Sequence, residues 1–281
     1  MHEAAFARAE LALDHRVWWD PDVRWDQYDL VVVRSSWDYV ERLGEYRRWL
    51  RSMDHLGTLR NPAAVVEWNL DKRYLTELGS AGVAVIPTAI AATHPELVRL
   101  LDAAVSGSTG QVVVKPVVSA GSRLTGRFDR GDPGGLALGR RILAEGFPVM
   151  VQPAVGSVAT EGEVGAVLFD GEVSHAFRKG PVLDDGGGRL GPGRHEQVAE
   201  AILTVEQERV VSQAIDWVHR LAGERLGVPV PLLYARVDLV RMDDGGHAVL
   251  EVELNEPSFN LSVDEGAADR FAATVARQVG E

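Results

Sequence analysis

The order of apolar and polar positions along the chain predicts an α/β protein. Near the N-terminus, helical periodicity predicts helices over 3–13 and 42–53, and a short apolar run predicts a strand over 16–19. The run at 29–34 is apolar at consecutive positions, which is typical of a strand covered on both faces. The loop after it is therefore expected at the ligand-facing edge of an open α/β unit.

This unit starts with a predicted helix, although open α/β units usually start with a strand. Two alternatives stay open: the first strand is absent from this chain, or the translation start lies upstream of Met1. Asn61-Pro62 then marks a boundary.

Helices and strands continue to alternate after this boundary. A helix is predicted over 63–78, with Lys72 near its middle. The elements predicted next are a strand at 83–86, a helix at 95–104, a strand at 111–116, a helix at 136–144, a strand at 148–153, a hairpin at 162–177 with its turn at Asp170-Gly171, and a long helix at 205–226. A glycine-rich segment at 184–193 is a candidate lid over a reaction site.

A hairpin near the C-terminus carries several acidic side chains on one face. Because strand side chains alternate, Glu251, Glu253 and Asn255 point one way, and a turn around Asp244-Gly245 brings Asp238 opposite Glu251. Such oxygen ligands, in a chain without cysteine, favour Mg²⁺ or Mn²⁺ over zinc. The alternative interpretation is a solvated polar face on an ordinary hairpin.

Composition narrows the class of protein. A net charge of −12 argues against nucleic acid or an anionic membrane surface as the main partner. No apolar run is long enough to span a membrane, and the N-terminus does not resemble a signal peptide. The lack of cysteine suits a reducing compartment, so we expect a cytoplasmic protein.

Two lysines and a loop of small residues suggest a phosphate site. Lys115 ends a buried strand just before a loop that contains Ser119 and Gly121. Backbone N–H groups of such a loop can approach phosphate oxygens closely, and an ammonium adds a point charge. Each lysine alone, including Lys72, is more often an ordinary solvated side chain.

The order of these features resembles the ATP-grasp superfamily over essentially the whole chain. The resemblance rests on Lys72, on Lys115 with its loop, on the strand that ends at Gln152 and Val155, and on the acidic hairpin. It implies an ATP-grasp fold with a Rossmann-like N-terminal domain that lacks its first strand. It also implies ATP and Mg²⁺ (or Mn²⁺) as cofactors.

The resemblance also implies roles for individual residues. Lys72 and Lys115 would hold the phosphates under the loop of Ser119 and Gly121. Gln152 and the Val155 backbone would bind adenine, and Glu163, with Glu161 as a weaker substitute, would bind ribose. Arg178 would meet the transferring phosphoryl group.

The metal motif departs from the family pattern of an Asp followed about thirteen residues later by E-x-N. Counting thirteen residues from Asp238 selects Glu251 and Glu253, whereas a literal E-x-N selects Glu253 and Asn255. The hairpin register favours the first choice, and the identity of the last ligand stays open.

Two segments narrow the resemblance further. The sequence at 34–39 and the sequence at 251–258 look like the glutathione-synthetase-like branch that contains the O-ureidoserine cyclo-ligases of cycloserine biosynthesis. Membership implies an ADP-forming ligase that acts on a small amino-acid-like carboxylate through an acyl phosphate, with Arg34, Ser35 and Ser36 at the substrate. A nucleotide-binding relative without ligase activity and a small-molecule kinase remain alternatives.

These expectations divide the chain into three parts. Residues 1–60 form an N-terminal α/β substrate domain, 61–147 a central ATP-grasp subdomain, and 148–281 a C-terminal subdomain with the adenine and metal sites. The sequence does not determine the oligomeric state, and a homodimer is one open alternative.

Overall fold

Three β-sheets organise the protein in a computed structural model, which describes residues 2–103, 110–180 and 198–280. The predicted α/β class is confirmed. The glycine-rich segment that we considered as a lid lies outside the described residues.

A two-stranded parallel sheet lies near the N-terminus. It consists of β1 (Val31–Val32) and β2 (Leu59–Arg60), joined through helix α2 (Leu43–Leu56). Helix α1 (His2–Arg8) is shorter than predicted, and residues 16–19 form turns instead of the predicted strand. Trp18 packs edge-on against Tyr46 of α2, so this segment contributes to the core without joining a sheet.

The central sheet has four strands in the order β3-β6-β4-β5. Its strands are β3 (Ala89–Ala91), β4 (Gln111–Pro116), β5 (Gly126–Asp129) and β6 (Val149–Pro153), all antiparallel to their neighbours. Helices α5 (His94–Ala103) and α6 (Pro133–Ala144) pack on it. Because β6 belongs to this sheet, the sheet continues past residue 147, where the sequence analysis ended the central subdomain.

The largest sheet has five antiparallel strands in the order β11-β10-β7-β8-β9. They are β7 (Glu163–Phe169), β8 (Glu172–Lys179), β9 (Val198–Ala201), β10 (Tyr234–Arg241) and β11 (His247–Glu253). Both predicted hairpins are confirmed, and Asp238 lies opposite Glu251 as predicted. Helix α8 (Val205–Arg220), which begins with a capping box at Thr204, covers one face, and α1 and α9 (Ala267–Val279) cover the other.

Two predictions for chain segments that lie outside these sheets were wrong. The segment at 63–78 is not one helix but two, α3 (Ala63–Asn69) and α4 (Tyr74–Ser80), and Lys72 lies in the break between them. The backbone N–H of Lys72 donates to Val117 O at 2.8 Å, a tertiary hydrogen bond that a continuous helix would not leave available. Residues 83–86 form only a single bridge, Val85 to Val249, because the chain there crosses the edge of β11.

A π-helix at Leu221–Arg225 continues α8, and three shorter helical turns complete the described elements. A 3₁₀ helix at Trp25–Gln27 precedes β1, a second at Trp37–Val40 follows it, and the single turn α7 (Ser157–Thr160) follows β6.

Candidate functional site

A cavity of about 310 Å³ lies between the central sheet and the five-stranded sheet. Its walls include the central sheet and the loop after β4, and the inner face of β7, β8, β10 and β11. They also include the N-terminal turn at Trp37–Val40 and the end of α3 with the break that carries Lys72. Of the residues that the sequence analysis selected, the cavity is lined by Lys72, Lys115, Ser119, Gly121, Gln152, Val155, Glu163, Asp238, Glu251, Glu253 and Asn255. The fold thus brings together residues that are distant in sequence.

Lys72 is tied into the site by its backbone and by its side chain. Its Nζ donates to Ser119 O at 2.8 Å and lies 2.9 Å from Glu251 Oε1. Burial lowers the pKa of Lys72, but the ion pair with Glu251 outweighs this effect and leaves the pKa above its usual value. Lys72 is therefore a charged residue that already has an anionic partner.

Lys115 has no such partner. It lies in the cavity wall at 8% exposure, and no described residue accepts a hydrogen bond from it or forms an ion pair with it. Burial lowers the pKa of Lys115 to about 8, with only a partial offset from Glu251. A buried ammonium in this state is stabilised by any anion that enters the cavity.

The loop after β4 presents its backbone to the same space. Gly121 has a φ of +58°, and a Cβ built there would meet no heavy atom within 4 Å. A positive φ favours glycine, which has no side chain. The backbone of the loop can therefore approach a ligand in the cavity closely.

The acidic hairpin is held by two cations. Arg236 Nε and Nη2 donate to the two oxygens of Asp238 at 2.9 Å each, and Lys179 Nζ donates to Asp238 Oδ2 at 2.8 Å. Burial acts to raise the pKa of Asp238, but Arg236 and Lys179 outweigh it and hold the pKa at about 2. Arg236 also contacts Glu253.

The remaining carboxyl groups differ in charge state. Burial raises the pKa of Glu253 to about 7, against the effect of Arg236. Burial and the neighbouring Glu253 raise the pKa of Glu256 to about 8. Burial acts to raise the pKa of Glu251, whereas Lys72 and Lys115 outweigh it and lower the pKa.

Asn255 lies at the end of the same hairpin. Its Oδ1 accepts a hydrogen bond from the Tyr46 hydroxyl at 2.5 Å, and its Nδ2 is buried without a partner among the described residues. The oxygen that would bind a metal is thus already in use. In the described parts of the chain, no group of three or more His, Asp or Glu side chains is arranged to hold a metal ion.

The predicted adenine and ribose residues occupy one end of the cavity. Gln152 is buried and donates from Nε2 to Thr88 Oγ1 at 2.8 Å, and Val155 lies beside it. Glu163 has a pKa raised by burial, and its Oε2 lies 3.6 Å from Lys179 Nζ. Glu161 lies outside the cavity, where its side chain pairs with Arg241 at 2.8 Å.

Arg178 lies on the wrong face of β8 for the role that we expected. It is exposed, and its Nη1 donates to the backbone oxygen of Glu161 at 2.8 Å. Because strand side chains alternate, the next residue, Lys179, points into the cavity. Lys179 and Arg236 are therefore the cations at this position.

The loop with Arg34, Ser35 and Ser36 lies beside the cavity and does not line it. The Arg34 guanidinium carbon lies 3.7 Å from the centre of the Phe259 ring, and its buried Nε has no partner among the described residues. Burial lowers the pKa of Arg34 to about 10, and nearby Arg236 adds to this effect. Ser35 is exposed and Ser36 is buried.

The sequence analysis did not select many of the residues that line the cavity, and these include Trp37, Tyr39, Lys179, Arg236 and Glu256. The strand alternation gives a signal for Arg236, which lies two residues before Asp238 and shares its face. The other residues lie in turns, next to Arg178 or beyond the end of β11, where no period identifies the inward face.

None of the helices in the described ranges is long and apolar enough to cross a membrane.

The comparisons with known proteins agree with this geometry. Residues 2–61 match a family model described as the N-terminal domain of D-cycloserine synthetase DcsG. The chain is 38% identical to the cycloserine biosynthesis protein DcsG of Streptomyces lavendulae over 269 residues, which cover 93% of this chain and 87% of that protein. A crystal structure of D-cycloserine synthetase DcsG superposes with a TM-score of 0.89 at 34% identity, and covers 99% of this chain and 93% of that one.

More distant structures share the fold alone. The ATP-grasp ligase PsnB, complexed with a minimal precursor, has a TM-score of 0.62 at 20% identity, over 99% of this chain and 93% of that one. D-alanyl-alanine synthetase A from Vibrio cholerae has a TM-score of 0.60 at 15% identity, over 82% of this chain and 70% of that one.

Proposed function

The chain belongs to the family of D-cycloserine synthetase DcsG, which has the ATP-grasp ligase fold, and from this membership we propose how its cavity works. The protein is an ATP-dependent carboxylate–amine ligase. We propose that its substrate is a small amino acid of the O-ureidoserine type, and that a nitrogen of the same molecule closes the ring.

One observation carries this proposal: the charge on the cavity wall. In a protein of net charge −12, five cationic side chains line one cavity, and among them Lys115 is buried without an acceptor in the described chain. An isolated buried charge is costly, so the site suits a polyanion that replaces the missing acceptor. ATP meets this requirement.

The placement of the side chains in the cavity supports the residue roles that the family resemblance implies. We assign Lys72, Lys115 and the loop of Ser119 and Gly121 to the phosphates. A separate group is assigned to the nucleoside: Gln152 and the Val155 backbone to adenine, and Glu163 to the ribose.

Mg²⁺ fits the donor set of the acidic hairpin. The carboxylates of Asp238, Glu251 and Glu253 are hard oxygen donors on one wall, and Mg²⁺ usually takes one or two carboxylates together with substrate phosphates. This need for phosphates agrees with the lack of a complete protein-only site in the described residues. When bound, the ion would neutralise charge between the transferring and leaving phosphate groups.

The chain's own residues account for the first chemical step. The substrate carboxylate oxygen attacks the γ-phosphorus, the bond to the β-phosphate oxygen breaks, and ADP leaves with the electron pair. Lys179 and Arg236 point to the developing negative charge from β8 and β10. Their positions are preset because Asp238 holds both of them.

In the second step a nitrogen attacks the acyl carbon, and orthophosphate leaves. We assign Arg34 to the substrate side of this reaction, since its guanidinium lies on Phe259 beside the cavity and its Nε has no partner in the described chain. A guanidinium offers several N–H donors, so Arg34 can hold other oxygen atoms of the substrate while Lys179 and Arg236 face its reacting carboxylate.

The absence of cysteine supports a cytoplasmic location, which we also propose. A homodimer remains a proposal for the assembly.

A phosphate-release screen over amino acids and ureido-amino acids, with product mass, tests the function. We expect release of orthophosphate that depends on ATP, Mg²⁺ and a ureido-amino acid. The product should be lighter than the substrate by at least the mass of one water molecule. A stable phosphorylated product would indicate a kinase instead. Nucleotide binding without substrate-dependent hydrolysis would indicate a relative without ligase activity.

A further inference from the structure

Three side chains that line the cavity have no role in the function proposed above. Tyr39 and Glu256 are 4% and 8% exposed, and Trp37 is 53% exposed, yet all three line the cavity. Among the described residues, no side chain forms a hydrogen bond or an ion pair with the Glu256 carboxyl group or with the Tyr39 hydroxyl.

Glu256 is unusual among the acidic side chains of this site. Asp238 and Glu163 are paired with Lys179, and Glu251 with Lys72. Glu253 contacts Arg236. The Glu256 carboxyl group interacts with its own backbone N–H and faces the cavity, where a ligand can supply a further partner.

The fold holds these groups in place through other contacts. The indole Nε1 atoms of Trp18 and Trp19 each donate to Asp38 at 2.9 Å, which fixes the turn that carries Trp37 and Tyr39. The Tyr39 ring stacks on Tyr46 with centroids 5.1 Å apart.

Tyr46 also connects this turn to Glu256. Its hydroxyl donates to Asn255, the residue that precedes Glu256. The position of the three cavity groups therefore does not depend on any hydrogen bond of their own.

We propose that Glu256, Tyr39 and Trp37 form the binding site for the ammonium group of the amino-acid substrate. The proposal rests on the proposed function, because it assumes that the substrate is an amino acid whose carboxylate faces Lys179 and Arg236.

An ammonium group fits this set better than the alternatives do. It donates to a carboxylate and to a phenol oxygen, and its charge is attracted to the face of an indole ring. Burial raises the pKa of Glu256 to about 8, and a bound ammonium would lower this pKa and keep the carboxyl group ionised, whereas a neutral amide would not. Mg²⁺ prefers oxygen ligands, and this set offers it one carboxyl group beside two aromatic side chains.

Calorimetry on the full chain with a non-hydrolysable ATP analogue and Mg²⁺ tests the site. The probes are O-ureido-D-serine and its analogue with hydrogen in place of the ammonium group. We expect the wild type to bind the first probe about tenfold or more tightly than the second, as for one charge-assisted hydrogen bond. Glu256→Gln should remove this preference, and Tyr39→Phe should reduce it.

Two controls separate a binding role from a structural one. Tyr28→Phe, at a half-buried tyrosine outside the cavity whose hydroxyl donates to Asp14, should leave the preference unchanged. Glu256→Gln should not lower the unfolding temperature, because no described side chain pairs with Glu256, and it should not change the Mg²⁺ requirement.

The inference is overturned if the wild type binds both probes equally or binds neither. It is also overturned if Glu256→Gln weakens both probes equally or raises the Mg²⁺ requirement alone. Phosphate release reports the proposed function separately. Turnover of both probes with equal KM would support the ligase function and reject the ammonium site. Binding that depends on Glu256 without any phosphate release would support the ammonium site and reject the ligase function.

Discussion

At the scale of single residues, we expect the charge state of Lys115 to affect how strongly the proposed site binds ATP. Burial lowers its pKa to about 8, whereas lysine in the unfolded chain has a pKa near 10.5. A phosphate beside it would favour the charged form and raise the pKa again. ATP binding is therefore coupled to the protonation of one buried side chain.

We predict that ATP affinity falls as the pH rises above about 8, and that binding at pH 9 takes up close to one proton. Calorimetry in buffers of different ionisation enthalpy measures this uptake. Lys115→Met should lose the uptake and weaken ATP binding about 10–100-fold at neutral pH, as for one charge-assisted contact. Unchanged affinity and unchanged proton uptake would remove Lys115 from the site.

The same lowered pKa has a consequence for stability. Between about pH 8 and 10.5 the unfolded chain binds the Lys115 proton and the folded chain does not. The stability of the ligand-free protein contributed by this group therefore rises with pH across that window and is lowest below it.

Arg178 and Lys179 form a natural pair for comparison, since they are adjacent and point to opposite faces of β8. Lys179→Met should lower kcat/KM about 100-fold or more, the range for a removed donor at a developing charge. Arg178→Met should change it less than about twofold, as for an exposed side chain outside the cavity. Steady-state kinetics with matched circular dichroism measures both, and a larger loss for Arg178→Met would restore the original assignment.

The same pair shows why the sequence was insufficient at this position. Counted without interruption from the turn at Asp170-Gly171, the hairpin would place Arg178 opposite Glu163. A register shift between Val167 and Leu168 moves Lys179 into that place. A one-residue shift exchanges the faces of a strand, and neither residue type nor periodicity reveals the bulge.

At the scale of elements, the acidic hairpin was the part best predicted. Its turn residues and alternation predicted the pairing of Asp238 with Glu251, and the structure confirms that register. The break between α3 and α4 was missed because residues 70–73 contain neither glycine nor proline to signal the end of a helix. The break is produced by distant contacts, including the hydrogen bonds of Asn69 to Val252 and Leu254 at 2.8 Å.

The hairpin yields a prediction about its metal ligands. Glu251→Gln should raise the Mg²⁺ concentration for half-maximal activity about tenfold or more, since it removes a charged oxygen ligand. Asn255→Ala should raise it less, because the Asn255 oxygen already accepts the Tyr46 hydroxyl.

Titration of activity with Mg²⁺ at saturating ATP measures both effects. Glu161→Gln is a suitable control, since Glu161 lies outside the cavity and pairs with Arg241. A larger effect of Asn255→Ala would select the literal E-x-N motif instead.

At the scale of the whole molecule, the function depends on how two sheets and an N-terminal turn meet. The sequence predicted the α/β class, both hairpins and eleven of the residues that line the cavity. It did not predict Trp37, Tyr39 or Glu256, because a turn and a strand end carry them and only the assembled cavity brings them together. The predicted lid at 184–193 stays a prediction.

The proposed mechanism forms an acyl phosphate on the substrate carboxylate. It is tested most directly with O-ureido-D-serine labelled with ¹⁸O at both carboxylate oxygens. Attack of the carboxylate on the γ-phosphorus followed by cleavage of the acyl C–O bond transfers one labelled oxygen to orthophosphate in each turnover. We predict that mass spectrometry finds singly labelled orthophosphate together with ADP. Unlabelled orthophosphate, or label in AMP, would exclude an acyl phosphate on the substrate carboxylate.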